Sequence, residues 1–387
     1  MHLINFDPAN FLRDYWQKKP LLIRDAWSGW RNPLTPDELA GLACEEGVES
    51  RLITRQKDRL AAEDGPLPET RFSALGGSPW TLLVQAADHH IPAVAELIEP
   101  FRFIPNWRID DIMVSYASDG GGVGAHFDQY DVFLIQGLGR RRWQIGGHCD
   151  ENSALLPHDS LRLLADFQPV EEWVLEPGDM LYVPPGFAHN GVAVGDDCMT
   201  YSVGFRAPSR SELIGDFADH LIENMLGDDI FGDPRYVDPD LSMQDNPGEI
   251  TPAAIHQLHR LITDALLDKT AFAHWFGQYN SRPKNPDMDW SPDEMADAEY
   301  VENMLRCGAP LKRNPACRFS FIRRNSGELS LFVDGGYFDL SGETARFAET
   351  LCAHPAHVPK IDSNEQQRAI ELIIQLLNRG CVIFLPL

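Results

Sequence analysis

GGGVGAHFDQYDVF, Gly120 to Phe133, and PGDMLYVPPGFAHNG, Pro177 to Gly191, are the two stretches on which the fold of this chain turns. The first carries His126-x-Asp128; the second supplies a lone histidine, His189, sixty-one residues beyond Asp128. Residues i and i+2 of a strand point to the same side, so a strand here lets His126 and Asp128 grip one face of an ion. Two imidazoles and one carboxylate suit Fe(II) and leave further coordination positions open. An HxD pair alone says little, because both residue types are common on polar surfaces. The specific signal is its pairing with Gly178-x5-Pro184-x-Gly186-x2-His189, where the distal histidine arrives on a turn after the strand DMLYV.

The spacing of both stretches resembles the paired half-motifs of the cupin, or double-stranded β-helix, fold, which implies an α+β protein built on an antiparallel barrel. Composition sets the outer bounds. A chain of 387 residues has room for two or three domains, and 43% hydrophobic with 24% charged residues is ordinary for a globular protein. The formal charge of −25 is not ordinary. Such a surface repels nucleic acid and acidic membranes and attracts a basic partner. Seven cysteines, an odd number with no CxxC, do not make a disulfide framework and point to a reducing compartment. MHLINFDPANFL has no basic region followed by an apolar run, and no stretch reaches the ~18 apolar residues of a membrane span. A cytoplasmic protein is expected.

Taken in order, residues 7–19 predict an amphipathic helix with Phe11, Tyr15 and Trp16 on one face, ended by Pro20. LLIRDA follows as a strand, and TPDELAGLA begins a helix at Thr35 with an acidic first turn. WTLLVQAADHH through VAELIEP reads as helical pieces, and His89 and His90 have no acidic or cysteine partner at ligand spacing. From Trp107 the period changes to two. DDIMVSY places Asp111, Met113 and Ser115 on one side and Ile112, Val114 and Tyr116 on the other. GGGVGA fits a dinucleotide fingerprint formally, but HFDQYDVFLIQG reads as strand where that fingerprint needs a helix, and no GK[ST] is present. The glycines instead allow close approach of a turn and a substrate.

DVFLIQGLGRRRWQIGG reads as two strands joined at Gly137-Leu138-Gly139. The run Arg140, Arg141, Arg142 has three readings: a solvated cluster, a salt-bridge network, or one arginine turned into the barrel to bind a carboxylate. Alternation lets Arg141 point opposite to its neighbours. After a polar excursion over residues 150–169, EEWVLEPGDMLYVPPGFAHNGVAV gives two strands, and MTYSVGFRAP closes the barrel.

WRIDDIMVSY, GGGVGAHFDQYDVFLIQGLGRRRWQIG, LEPGDMLYVPPGFAHNG and YSVGFRAPSRSELIGDFADH together resemble the bacterial JmjC-type ribosomal oxygenases, with FLRDYWQKKPLLIR and TPDELAGLA in keeping. The likeness is densest over residues 7–225. It implies an Fe(II)- and 2-oxoglutarate-dependent dioxygenase that consumes O2 and hydroxylates, at the β-carbon, an arginine of large-subunit ribosomal protein L sixteen. It assigns Fe(II) to His126, Asp128 and His189, and the distal carboxylate of 2-oxoglutarate to Arg141 with help from Ser115. Asp111 and Met113, sharing the face of Ser115, then lie beside the cosubstrate. A carboxylate next to a thioether suits a guanidinium on a methylene stem. Tyr130, two beyond Asp128, faces the same way and stacks on that guanidinium. The plainer alternative has Asp111 capping Arg108 or a backbone turn.

Further on, Ser209-x-x-Glu212 is a capping box, and Leu213, Phe217, Leu221 with Ile214, Ala218, Ile222 and Met225 mark an apolar stripe. Thr251-Pro252 opens a second helix striped by Ile255, Leu258, Ile262 and Leu266. Residues 209–300 hold 19 acidic against 6 basic side chains, about half the molecule's net charge. In the resembled family such a helical module makes a homodimer; the stripes alone equally allow packing onto the barrel. SRPKNPDMDWSP reads as a linker. ACRFSFIRRNSGELSLFVDGGYFDL reads as a hairpin turning at Asn-Ser-Gly, and with two helical stretches and CVIFLPL it suggests a winged-helix-like unit. Residues 301–387 carry 9 acids and 10 bases, too balanced for a nucleic-acid reader, so protein contact is expected. The expected division is a JmjC/cupin catalytic domain over 1–208, a helical dimerisation module over 209–280, and a linker with winged-helix-like domain over 281–387. The competing function is a non-catalytic metal-binding cupin that senses or stores; a carboxylate clamp at Arg141 and Ser115 has no use there. A transcription factor built on the C-terminal unit is opposed by the overall charge.

Overall fold

A computed structural model describes residues 2–56, 59–225, 234–243, 246, 248–324, 327–359 and 366–386, in two units. One unit comprises Met1–Ala207, Pro283–Cys317 and Ile370–Leu387; the other comprises Pro208–Arg282 and Arg318–Ala369.

In the first unit the N-terminal elements form where their caps dictate. Asp7 accepts from the backbone N–H groups of Ala9 and Asn10, Pro8 occupies the first turn, and the helix Pro8–Asp14 buries Phe11. It stops short of residue 19 because the chain turns at Gln17, whose φ is +55°. Thr35 and Glu38 form a reciprocal capping box at the head of Pro36–Leu42.

Nine strands build the barrel: β1 (Leu21–Ile23), β2 (Ser50–Gln56), β3 (Arg59–Asp64), β4 (Trp80–Val84), β5 (Ile109–Ala117), β6 (Val132–His148), β7 (Glu171–Leu175), β8 (Met180–Val183) and β9 (Phe187–Phe205). They are ordered β1-β8-β6-β9-β5-β4-β2-β3, with β7 added on β6 and antiparallel pairing throughout. Alternation splits the apolar residues into two layers. Phe133, Ile135, Met180, Tyr182, Tyr201, Val203, Ile112 and Val114 pack with Phe11, Trp27, Leu39 and Phe101 of the N-terminal segments. Their strand neighbours Val132, Leu134, Leu181 and Val183 pack instead with Trp143, Ile145 and Leu175.

Several local expectations are corrected. WTLLV is the strand β4, not a helical piece; the helical turns begin at Ala87. A short apolar run carries no period of its own, and pairing with β2 and β5 decides its conformation. The hairpin of β2 and β3 has no counterpart in the sequence reading. Gly137-Leu138-Gly139 does not join two strands: it is a bend within β6, where the register to β9 shifts on both sides of Leu138. Gly139 sits at φ +55°, and a Cβ there would meet the Asp197 carbonyl oxygen at 2.7 Å. β9 likewise unites FAHNGVAV and MTYSVGF, bending where Gly195 and Asp197 take positive φ. His126 to Asp131 lie outside any regular strand, and β6 begins at Val132.

Residues 283–317 and 370–387 return to the barrel unit, unlike the three consecutive domains expected at 1–208, 209–280 and 281–387. Asn285 donates to the Gly47 carbonyl, Leu311–Arg313 pairs with Val382–Phe384, and Ala296 exchanges two hydrogen bonds with the Asn378 side chain. Among the described residues no helix is long and apolar enough to cross a membrane.

The second unit contains the helices Arg210–Met225, Pro252–Leu266 and Lys269–Ser281, the helix Gly342–Ala353 and an antiparallel meander of Phe319–Arg323, Glu328–Val333 and Gly336–Ser341. Ser209 and Glu212 cap the first helix reciprocally, and Thr251 caps the second. Phe217 is buried against Phe272 and Trp275 rather than lying on an open stripe; Ile214, Ile222, Ile255, Leu258, Ile262 and Leu266 are exposed. Asp334 and Gly335, both at positive φ, turn the meander's second hairpin. Asn325 and Ser326 of the expected turn lie outside the described residues.

Candidate active site

His126 and His189 face each other through paired backbone hydrogen bonds, His126 N–H to His189 O at 3.0 Å and His189 N–H to His126 O at 2.8 Å. Gly186 N–H donates to the Asp128 carbonyl at 2.8 Å, so the second stretch anchors both ends of His126-x-Asp128. One ligand atom from each of His126, Asp128 and His189 lies within 4.8 Å of the other two. Convergence comes from this bridge and the turn after it, not from a regular strand.

Each imidazole is oriented by its Nδ1, His126 toward Gly124 O at 2.9 Å and His189 toward Phe187 O at 3.0 Å. A carbonyl only accepts, so Nδ1 carries the proton and each Nε2 presents a lone pair. Burial, together with the neighbouring His126, pulls His189 down to about 4. The neutral ring is the form that ligates. The donor set therefore fits a divalent metal on chemical grounds. The glycines before His126 admit backbone: a Cβ on Gly122 would stand 2.4 Å from the Gly191 carbonyl oxygen.

Alternation along β6 buries Arg141 to 3% exposure, with Arg140 and Arg142 exposed on either side. Its Nε donates to Thr200 Oγ1 at 2.9 Å, and a guanidinium Nη reaches Ser115 Oγ at 3.4 Å. Thr200 in turn donates to Gln136 Oε1 at 3.2 Å. Ser115, Thr200 and Gln136 are register partners across β5, β9 and β6. Trp143, on the same face of β6, has its ring beside both the guanidinium and His189. Among the described residues no carboxylate pairs with Arg141, and a buried cation held only by neutral groups calls for an anionic ligand. Thr200 and Gln136 escaped the sequence reading; polar residues inside otherwise apolar buried strands were the available signal.

Asp111 and Met113 come from β5, and Tyr130 from the turn after Asp128. Asp111 is buried, accepts from Ala86 N–H at 2.8 Å and pairs with Lys284 at 2.7 Å. It does cap a backbone turn, at Ala86, whereas Arg108 bonds Asp131 and the Arg206 carbonyl instead. Met113 and Ser115 occupy the face of β5 opposite the buried Ile112 and Val114. Tyr130 stands in the turn after Asp128, not on a strand, and is 44% exposed. Desolvation of its hydroxyl, then the charges of Asp128 and Asp111, hold that phenol above its usual range.

Two domain families match this chain: a JmjC domain over residues 96–213 and a ROXA-like winged helix over residues 260–382. The chain is 40% identical over 312 residues to the ribosomal protein uL16 3-hydroxylase of Escherichia coli strain K12, covering 77% of this chain and 80% of that protein. It is 36% identical over 352 residues to a probable ribosomal oxygenase of Haemophilus influenzae, covering 86% of this chain and 82% of that one. The solved structure of the Escherichia coli ribosomal oxygenase YcfD in complex with cobalt and 2-oxoglutarate superposes with a TM-score of 0.86 at 33% identity, covering 100% of both chains.

Proposed function

This chain belongs to the JmjC-domain ribosomal oxygenases, and from that premise we propose that it hydroxylates an arginine of ribosomal protein uL16 at the β-carbon. It is an Fe(II)- and 2-oxoglutarate-dependent hydroxylase that consumes O2. When bound, Fe(II) and 2-oxoglutarate supply the oxidation: one atom of O2 enters the target C–H bond, and the other leaves in succinate as CO2 is lost.

His126, Asp128 and His189 hold the metal, each imidazole through the Nε2 that its Nδ1 contact leaves free. Arg141 receives the distal carboxylate of 2-oxoglutarate, with Ser115 beside it and Thr200 fixing the guanidinium plane. Asp111, Met113 and Tyr130 take the target arginine, the carboxylate pairing its guanidinium, Tyr130 stacking on that guanidinium and Met113 lying beside its stem. The protein's own contribution is to orient that side chain toward the metal and keep water away. The carrying observation is Arg141, a buried guanidinium without a carboxylate partner among the described residues. It favours a cosubstrate enzyme over a cupin that merely stores or senses metal. The protein acts in the cytoplasm as a homodimer, its net charge of −25 drawing in a basic ribosomal protein.

The test is incubation with Fe(II), 2-oxoglutarate and a uL16 peptide, read by mass spectrometry and succinate release. A shift of about 16 Da on arginine, the mass of one inserted oxygen atom, is the expected result. Metal binding without peptide-dependent succinate would favour the sensor instead.

A further inference from the structure

Lys284 enters the catalytic unit from far along the chain, at the start of the returning segment that Asn285 pins to Gly47. Its ammonium lies 2.7 Å from Asp111 Oδ2 and 3.2 Å from Asp110 Oδ2. Neighbours on a regular strand point to opposite faces, yet these two carboxylates meet one cation. The reason is a bulge: β5 spends three steps from Ile109 to Ile112 where β9 spends two, from Phe205 to Val203.

The two oxygens of Asp111 are used differently. Oδ2 takes both the Ala86 N–H and the Lys284 ammonium. Oδ1 has no hydrogen-bond partner among the described residues and looks toward Gly204, where an added Cβ would come only to 3.7 Å. A buried carboxylate clamped through one oxygen keeps the other as its remaining acceptor.

We propose that Lys284 is a positioning residue that sets specificity for a cationic target, holding Asp111 ionised and its Oδ1 turned to the arriving guanidinium. The proposal rests on the reading that Asp111 meets the target arginine. The groups facing Asp111 make the ion pair necessary. Asp110 lies beside it on β5, Asp88 approaches from the helical turn at Ala87, and the Tyr130 phenol feels its charge. Burial raises the Asp111 pKa, and Lys284 is the cation that opposes this. Burial alone would lower Lys284, but Asp111 and Asp110 outweigh it and raise the amine. Without the amine, Asp111 takes up a proton at higher pH and offers a guanidinium a neutral acid.

Steady-state kinetics with an arginine peptide, and 2-oxoglutarate titration of the Co(II)-loaded protein, test this. Lys284→Met should raise the peptide KM by at least ~10-fold, the scale of unpairing a buried charge. It should move the acid limb of kcat/KM to higher pH, narrow the preference over a lysine-substituted peptide, and leave 2-oxoglutarate affinity unchanged. Lys284→Arg should restore the wild-type pH profile. Lys284→Gln, a neutral donor, should reproduce the pH shift and serves if the methionine variant does not fold. An unchanged or lowered peptide KM with an unmoved acid limb would overturn the proposal, a lowered one marking Lys284 as a competitor of the substrate. Asp111→Asn separates the two levels. If it leaves the peptide KM unaltered, the guanidinium reading itself fails; if it raises KM where Lys284→Met does not, only the role of Lys284 fails.

Discussion

Asp128 is the one carboxylate of the candidate metal set, and both its flanking histidines are oriented independently of it by backbone carbonyls. Asp128→Ala should therefore abolish succinate release while the melting temperature of the metal-free protein stays near wild type. Turnover near the wild-type level in that variant would rule out the set. Arg141→Ala should weaken 2-oxoglutarate binding by ~100-fold, the scale of losing a buried charge-assisted pair, while Arg140→Ala and Arg142→Ala change it little. Equal losses in all three would refute the inward assignment. Asp88 allows a pH test. Burial, and then the neighbouring Asp111, pushes its carboxyl from 3.8 up to about 8. A carboxyl raised on folding stabilises fully below its unfolded pKa and loses that contribution as pH rises through the folded one. Stability should thus fall between about pH 4 and pH 8, and Asp88→Asn, which still offers an acceptor to Ile112 N–H, should flatten that fall in thermal melts.

At the level of elements, the barrel is shaped by two long strands that bend together. β6 turns at Gly139 against the Asp197 carbonyl of β9, and beyond the bend its alternation aims Arg141 and Trp143 inward. Gly191 lets the Trp143 ring lie on the β9 backbone, where an added Cβ would meet the ring at 2.6 Å. Gly191→Ala should displace Trp143, and with it the wall beside His189. The expected signs are altered tryptophan fluorescence and a loss of about 1–3 kcal/mol in denaturant unfolding, the usual overpacking cost. Unchanged fluorescence and stability would mean the ring has room to move.

For the whole molecule, the exposed apolar residues of the second unit carry the question of assembly. Phe217 and Trp275 form that unit's interior, so a charge at Phe217 would report unfolding, not dissociation. Ile222 and Ile262 are 51% and 64% exposed, and pairing with a second copy would cover them in a two-fold dimer. Ile222→Glu with Ile262→Glu should give a folded monomer by light scattering. A wild-type protein that is already monomeric at micromolar concentration would end the dimer proposal.

What depends on local spacing can be read from the residues alone. HxD with PxGxxH pointed to the candidate metal set, period two set Arg141 apart from Arg140 and Arg142, and Ser209-x-x-Glu212 marked a helix start, because caps and alternation are written within a few residues. What depends on partners distant in the chain emerges only on folding. WTLLV became a strand through its neighbours, and Gly137-Leu138-Gly139 became a bend because β9 bends opposite it. Thr200 reached Arg141 from β9, 59 residues further on, and Lys284 came back to Asp111 across 173 residues of chain. Such pairings are set by which surfaces bury each other and by where a bulge shifts the register, and neither leaves a periodic mark in the sequence.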